Sequence, residues 1–173
     1  MKNSPARVLI LGLDPGLRHT GWGIIQMVDN TMTHVGHGVV NTPTKLTLAE
    51  RLNCLYQGLS AVIDDYAPCE AVVEETFVNK NPASTLKLGM ARGVVLLVPA
   101  SKGLPVFEYS ANRIKKSVVG VGHADKNQVL LMVQRLLPCM KRDDMRSDAA
   151  DALAAAICHA HYRRINSLVR AQI

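Results

Sequence analysis

Residues 7–40, RVLILGLDPGLRHTGWGIIQMVDNTMTHVGHGVV, decide the fold. Their first eight, RVLILGLD, form a short apolar run stopped by Pro15-Gly16, the pattern of a buried strand ending in a turn. Residues 20–28 and 31–40 are rich in β-branched side chains and flank Asp29-Asn30, which predicts a hairpin. The chain therefore opens with three strands able to pair antiparallel. Residues 46–66 then repeat apolar side chains at helical spacing (Leu48, Leu52, Leu55, Leu59, Val62) and stop before Pro68, which disfavours helix in the residue preceding it. A fourth strand is predicted at 71–75. Asn81-Pro82 sets a capping residue before a proline suited to the first helical turn, opening a helix to about residue 100. This helix is apolar nearly all round: Leu86, Met90, Val94 and Leu97 make one stripe, and Leu88, Val95 and Val98 make others. One face is expected to meet the fold and another a second subunit. Residues 105–109 read as a fifth strand, Ser110 as the cap of a helix to about 119, and residues 126–137 as a helix after a glycine turn. A polar loop at 138–146 leads to Ser147, expected to cap a last helix from 148 to about 164. Strands first, then strands alternating with helices, describe an α/β domain: a mixed sheet flanked by helices.

At 173 residues the chain fits one domain over 1–173, with 1–6 as an N-terminal extension and about 165–173 as a frayed basic tail. The longest apolar run, 94–99, is far short of the roughly 20 residues that cross a bilayer. No signal-peptide pattern opens the chain, so a cytoplasmic protein without membrane contact is expected. Cys54, Cys69, Cys139 and Cys158 form no CxxC pair and read as reduced thiols packed in a core. Cys158, His159 and His161 lack the second ligand pair a zinc site needs.

Net charge is +6, which suits a polyanionic partner, and its distribution says more. Between residues 76 and 124 the single acid is Glu108, against Lys80, Lys87, Arg92, Lys102, Arg113, Lys115 and Lys116. A solvated face usually mixes signs, so this stretch favours a phosphate-backbone surface.

Asp14 ends one apolar strand and Glu74 nearly ends another, positions where acids are rare unless something cationic compensates them. A structural salt bridge would also account for either. Asp148 and Asp151 stand three apart at the start of a helix, so their carboxylates share a face where the helix dipole favours negative charge; capping alone would also explain them. One chemistry unites all four: phosphodiester hydrolysis with two Mg²⁺ ions, which take hard oxygen ligands. One ion would activate the attacking water and the other would stabilise the leaving oxygen.

GLDPGLRHTGWG, AVVEETF with NKNPASTLKLGMARG, PVFEYSANRIKKSVVGVGHADKNQV and SDAADALAAAICHAH together resemble the RuvC family of Holliday-junction resolvases over nearly the whole chain. The resemblance implies an RNase H-like fold, a homodimer, dependence on Mg²⁺ with Mn²⁺ as a substitute, and symmetrical nicking of two opposed strands in four-way junction DNA. The family's catalytic acids fall on Asp14, Glu74, Asp148 and Asp151. Phe77 matches an aromatic that contacts bases near the crossover, though a core phenylalanine is the alternative. Lys115 and Lys126 match lysines near the scissile phosphates, where charge neutralisation would act as oxyanion stabilisation does; plain surface lysines are the alternative. With Lys80, Lys87, Arg92, Arg113 and Lys116, these form the expected DNA-binding set. The resemblance also implies the RuvA and RuvB branch-migration complex as a partner. Glu75 departs from the family's usual Gln, and its side chain should point to the opposite strand face.

Two other classes fit parts of the sequence. DPGxxxTG after a strand also occurs in the phosphate loop of actin-like ATPases, but those need two domains and a second glycine-rich segment. A non-catalytic nucleic-acid-binding module on the same fold would keep clustered negative charge beside DNA to no purpose.

Overall fold

The computed structural model describes residues 7–75, 81–137 and 145–170, with side chains described as far as Arg163 in the last stretch. Its elements are β1 (Arg7–Asp14), β2 (His19–Val28), β3 (Thr31–Asn41), α1 (Leu48–Tyr66), β4 (Glu70–Glu75), α2 (Pro82–Ser101), β5 (Val106–Ser110), α3 (Ala111–Val119), α4 (Lys126–Leu136) and α5 (Ser147–Arg170). The strands make one mixed sheet in the order β3-β2-β1-β4-β5. β1 pairs antiparallel with β2 and parallel with β4, and β4 pairs parallel with β5. Lying between neighbours with helices on both faces, β1 and β4 read as continuous apolar runs, not alternating ones.

Side-chain alternation divides the core in two. Leu11, Leu13, Ile24 and Val73 pack with Leu55, Leu59 and Val62 of α1 and Ala91, Val95 and Val98 of α2. Their neighbours Ile10, Ile25 and Val72 turn to the other face, against α3, α4 and Leu153 and Ile157 of α5. By the same period of two, Asp14 and Glu74 belong to the α5 face and Glu75 to the opposite one.

The α5 face is unusual in how closely helix and sheet approach. A Cβ added to Gly12 would stand 1.9 Å from the carbonyl oxygen of Ala152, and one added to Gly21 1.9 Å from that of Asp148. Gly12 and Gly21 together with the buried alanines Ala149, Ala152 and Ala156 let the helix backbone rest almost directly on the strands. The first turn of α5 is thereby laid across the end of β1.

Helix starts follow their caps. Thr47 and Glu50 form a capping box, which starts α1 at Leu48, two residues later than the periodicity predicts. Asn81 accepts from the amides of Ala83 and Ser84 as expected. Ser110 occupies the N-cap position of α3 without a side-chain cap bond. Ser147 lies inside α5, whose first carbonyl acceptor is Arg146, bonded by Ala149 and Ala150 at 3.1 Å each. The helix also continues past residue 164 to Arg170, because no glycine or proline intervenes to stop it.

One other expectation needs correction. Cys54 is half-buried and Cys69 exposed, so of the described thiols Cys158 alone is a core residue; Cys139 lies outside the described residues. α2 has the length and mean hydropathy, 1.3, of a membrane span, because Lys87 and Arg92 interrupt its apolar runs without lowering the average much. It buries Ala91, Val95, Val98 and Pro99 against the fold and exposes Leu86, Met90 and Leu97.

Candidate active site

Asp14 reaches the site from the end of β1 and Glu74 from β4, on adjacent strands with their side chains on the α5 face. With Asp151 they line a pocket of about 210 Å³ whose other walls are Lys115 of α3, Lys126 of α4, and the apolar side chains of Ala111, Ile114 and Val129. Lys126 Nζ stands 3.8 Å from Asp151. Asp148 lies beside this pocket, not within its lining, and holds Arg146 Nη2 at 3.3 Å.

The electrostatics follow from the walls. Asp14 is pushed up to about 8, first by burial and then by the charges of Glu74, Asp151 and Asp148, with Lys126 opposing. Glu74 is pushed up to about 7 by burial and by Asp151, against the pull of Lys115 and Lys126. Burial also raises Asp151, which Lys126 moderates and Asp148 reinforces. Desolvation and crowded like charge are the two causes that hold carboxyls protonated, and both act here.

Each expected site residue within the described stretches has a definite place. The acids and Lys115 and Lys126 come together. Arg113 stands 5.1 Å over the ring of Tyr109 and 4.1 Å over that of Tyr162, so its guanidinium is engaged with aromatic faces outside the pocket lining. Arg92 is ion-paired with Glu108, the lone acid of the basic stretch. Lys87 and Lys116 are exposed on α2 and α3. Phe77 and Lys80 lie outside the described residues. His159, discounted as a zinc ligand, is a buried structural residue: it accepts from Tyr109 Oη and donates through Nε2 to Glu70, each at 2.9 Å. The sequence reading missed Arg146 and its second partner, Asn41 Oδ1 at 3.1 Å. An arginine two residues before a candidate acid was the available signal.

The donor set fits a hard divalent cation. It is all carboxylate oxygen, and burial with mutual repulsion concentrates negative charge that a cation would relieve. Among the described residues no three His, Cys, Asp or Glu side chains stand together as a formed metal cage. Lys126 and Arg146 instead hold Asp151 and Asp148.

Comparison with known proteins identifies the family. A family model described as crossover junction endodeoxyribonuclease RuvC matches residues 10–159. The chain belongs to the RuvC family. It is 64% identical over 155 residues to the crossover junction endodeoxyribonuclease RuvC of Paramagnetospirillum magneticum, covering 89% of this chain and 92% of that relative. The RuvC of Beijerinckia indica is 54% identical over 168 residues, 97% of this chain and 95% of that one. Among solved structures, RuvC of T. thermophilus in complex with a Holliday junction substrate superposes with a TM-score of 0.84 at 32% identity, over 92% of this chain and 96% of that chain. The yeast mitochondrial Holliday junction resolvase Ydc2 shares the fold, with a TM-score of 0.58 at 14% identity. The RNase H-like fold and the endodeoxyribonuclease class expected from the sequence are therefore those of the RuvC family, and membership carries dependence on a divalent metal. A match this extensive leaves the actin-like and non-catalytic readings without support.

Proposed function

We propose that this RuvC-family chain resolves four-way DNA junctions by metal-dependent nicking of two opposed strands, with Asp14, Glu74, Asp148 and Asp151 as metal ligands and catalytic acids. The observation that carries this reading is the meeting of two strand-borne acids with the acidic first turn of α5 beside Lys115 and Lys126. The acids would hold two Mg²⁺ ions, with Mn²⁺ able to substitute, and these supply water activation and leaving-group stabilisation when bound. Lys115 and Lys126 neutralise charge on the scissile phosphate from the pocket wall. Ala111, Ile114 and Val129 limit the water that reaches it. The exposed lysines Lys87 and Lys116, with Arg92, Arg113, Lys80 and Phe77, are assigned to DNA contact outside the reacting centre.

Two opposed nicks require two sites related by a two-fold axis, so the working form is a homodimer. The exposed Leu86, Met90 and Leu97 of α2 are assigned to its interface, since a contiguous apolar face on one helix needs cover. One domain, residues 1–173, acts in the cytoplasm with the RuvA and RuvB complex.

Labelled four-way junction and linear duplex, each with and without Mg²⁺, test the reading. The expected result is paired nicks in the junction alone and with metal alone; equal cutting of duplex would overturn it. Met90→Glu or Leu97→Glu should give monomers in sedimentation that bind junctions poorly. A monomeric variant that still made both cuts in one binding event would remove α2 from the interface.

A further inference from the structure

Across one edge of the sheet, Asn41 ends β3, His19 pairs with it at the start of β2, and Asp14 ends β1. Lys115 and Lys126 line the catalytic pocket with Asp14, Glu74 and Asp151, a lining that includes neither Asn41 nor Arg146. On the β2–β3 side the structure has a second polar arrangement that the catalytic reading does not use. Its centre is Arg146, oriented by acceptors on both sides: Asn41 Oδ1 at 3.1 Å and Asp148 Oδ2 at 3.3 Å. Asn41 is itself fixed by the ring of His19, whose Nδ1 lies 2.7 Å from the same oxygen.

Two clefts meet at Asn41. One, of about 310 Å³, is lined by His37, Gly38, Val39, Asn41, Arg146 and Ala149. The other, of about 360 Å³, has Arg18 and Lys45 in its wall beside His19, Thr42 and Thr44. Among the described residues neither lining includes an acid. Arg18, Lys45 and Arg146 are exposed, so none is consumed as a buried structural charge. A guanidinium carries five donors in a planar fork, and among the described residues Arg146 gives one to each of Asn41 and Asp148. A fixed fork beside clefts whose described linings carry basic but no acidic side chains suits phosphate oxygens, which a planar donor pair matches better than a mobile ammonium does.

We propose that Arg146, held by Asn41 and Asp148, forms with Arg18 and Lys45 a second phosphate subsite. It grips the DNA backbone on the side of the acids away from Lys115 and Lys126. The cleaved strand is then held by cations on both sides of the scissile phosphate, and Arg146 couples that grip to the position of Asp148. This inference rests on the assignment of the acids as a DNA-cutting centre.

The test uses full-length protein and four-way junctions carrying single neutral methylphosphonate linkages at successive positions around the cleavage site, with affinity measured in EDTA over a salt series. Arg146→Ala and the double variant Arg18→Ala/Lys45→Ala should each bind unmodified junction about tenfold more weakly and flatten the salt slope by about one unit for every phosphate no longer held. Neutralising a phosphate on one side of the cleavage site should weaken wild type but not Arg146→Ala, and Arg146→Lys should recover part of the affinity. Unchanged affinity and slope in both variants would overturn the subsite. So would a loss that is the same whichever phosphate is neutralised, since that would report net charge alone. Wild-type protein that neither binds nor cuts junctions would instead overturn the parent assignment.

Discussion

The acids on strands and the acids on the helix reach the same centre by different physical routes. Asp14 and Glu74 are carried by β1 and β4, the strands packed on both faces, and burial comes first among the causes that raise each. Asp148 and Asp151 sit at the start of α5, where the helix dipole favours negative charge, and each has a basic partner, Arg146 or Lys126. The strand pair is rigid and, among the described residues, has no direct ion pair; the helix pair is ion-paired and more accessible, with side chains 24% and 20% exposed. The fold thus places its most strongly desolvated carboxyls, held toward the protonated form, where position is most fixed, and leaves adjustable ion pairs where α5 meets the surface.

Single neutral substitutions should give the largest effect and the first separation between the two pairs. Asp14→Asn, Glu74→Gln, Asp148→Asn and Asp151→Asn should each slow junction cleavage at least about a hundredfold, because each removes one ligand charge from the metal-assisted step. Binding in EDTA near pH 7 should separate the pairs. Asp14 is pushed up to about 8 and is already largely protonated there, so Asp14→Asn should leave affinity nearly unchanged. Asp148→Asn should tighten binding, since it takes a carboxylate away from Arg146. Gel-shift affinities moving together in both variants would erase the distinction.

The strand pair was legible in the sequence because an acid ending an apolar run violates a simple rule about burial, and the helix pair because three-residue spacing puts both carboxylates on one face. The sheet was legible for a related reason: a period of two fixes which face each side chain takes, and Glu75 falls on the opposite face for that reason alone. Arg146 was only half legible: its spacing from Asp148 hints at that contact, but its pairing with Asn41, more than one hundred positions away in the chain, leaves no local pattern. The Ser147 cap failed similarly. Serine satisfies the local preference, yet the first turn bonds to the Arg146 carbonyl, and that turn lies against Gly21 of β2. Arg92 looked available for DNA from charge alone, and its pairing with Glu108 crosses from α2 to β5.

A second test concerns stability against pH without metal. Asp14 is raised from 3.8 to about 8 and Glu74 from 4.5 to about 7, so the folded state holds protons that the unfolded chain releases. The contribution to stability is fully present below about pH 4 and is lost as pH rises through the folded values, between about 4 and 8. Thermal unfolding in EDTA should therefore weaken across that window. Asp14→Asn should flatten the decline and exceed wild type near pH 8.5 by on the order of 5 kcal/mol, about four pH units between the two values at about 1.4 kcal/mol each. Wild type and variant with parallel profiles would show that Asp14 does not carry the buried charge.

The smallest effect should come from lifting the helix pair while leaving the strand pair alone. A Cβ at position 21 would stand 1.9 Å from the Asp148 carbonyl oxygen, so Gly21→Ala must displace the first turn of α5 or the β2 backbone beneath it. Asp14 faces Gly21 across the β1–β2 ladder but sits on a strand anchored by core packing on both sides, so it has far less freedom to follow. Overpacking of this kind costs about 1–3 kcal/mol, and the helix end, packed only on one side, should yield at the low end of that range. The acids on α5 would then be misplaced by a fraction of an ångström, a displacement to which a positioned reaction is sensitive. Cleavage should fall about tenfold, less than in any neutral variant, while the loss of stability between pH 4 and 8 in EDTA persists, because Asp14 and Glu74 remain buried together. Gly21→Ser should behave alike, since the obstruction is the Cβ itself. If Gly21→Ala instead abolished the pH dependence, the strand acids would depend on the seating of α5, and the separation between the two pairs would fail.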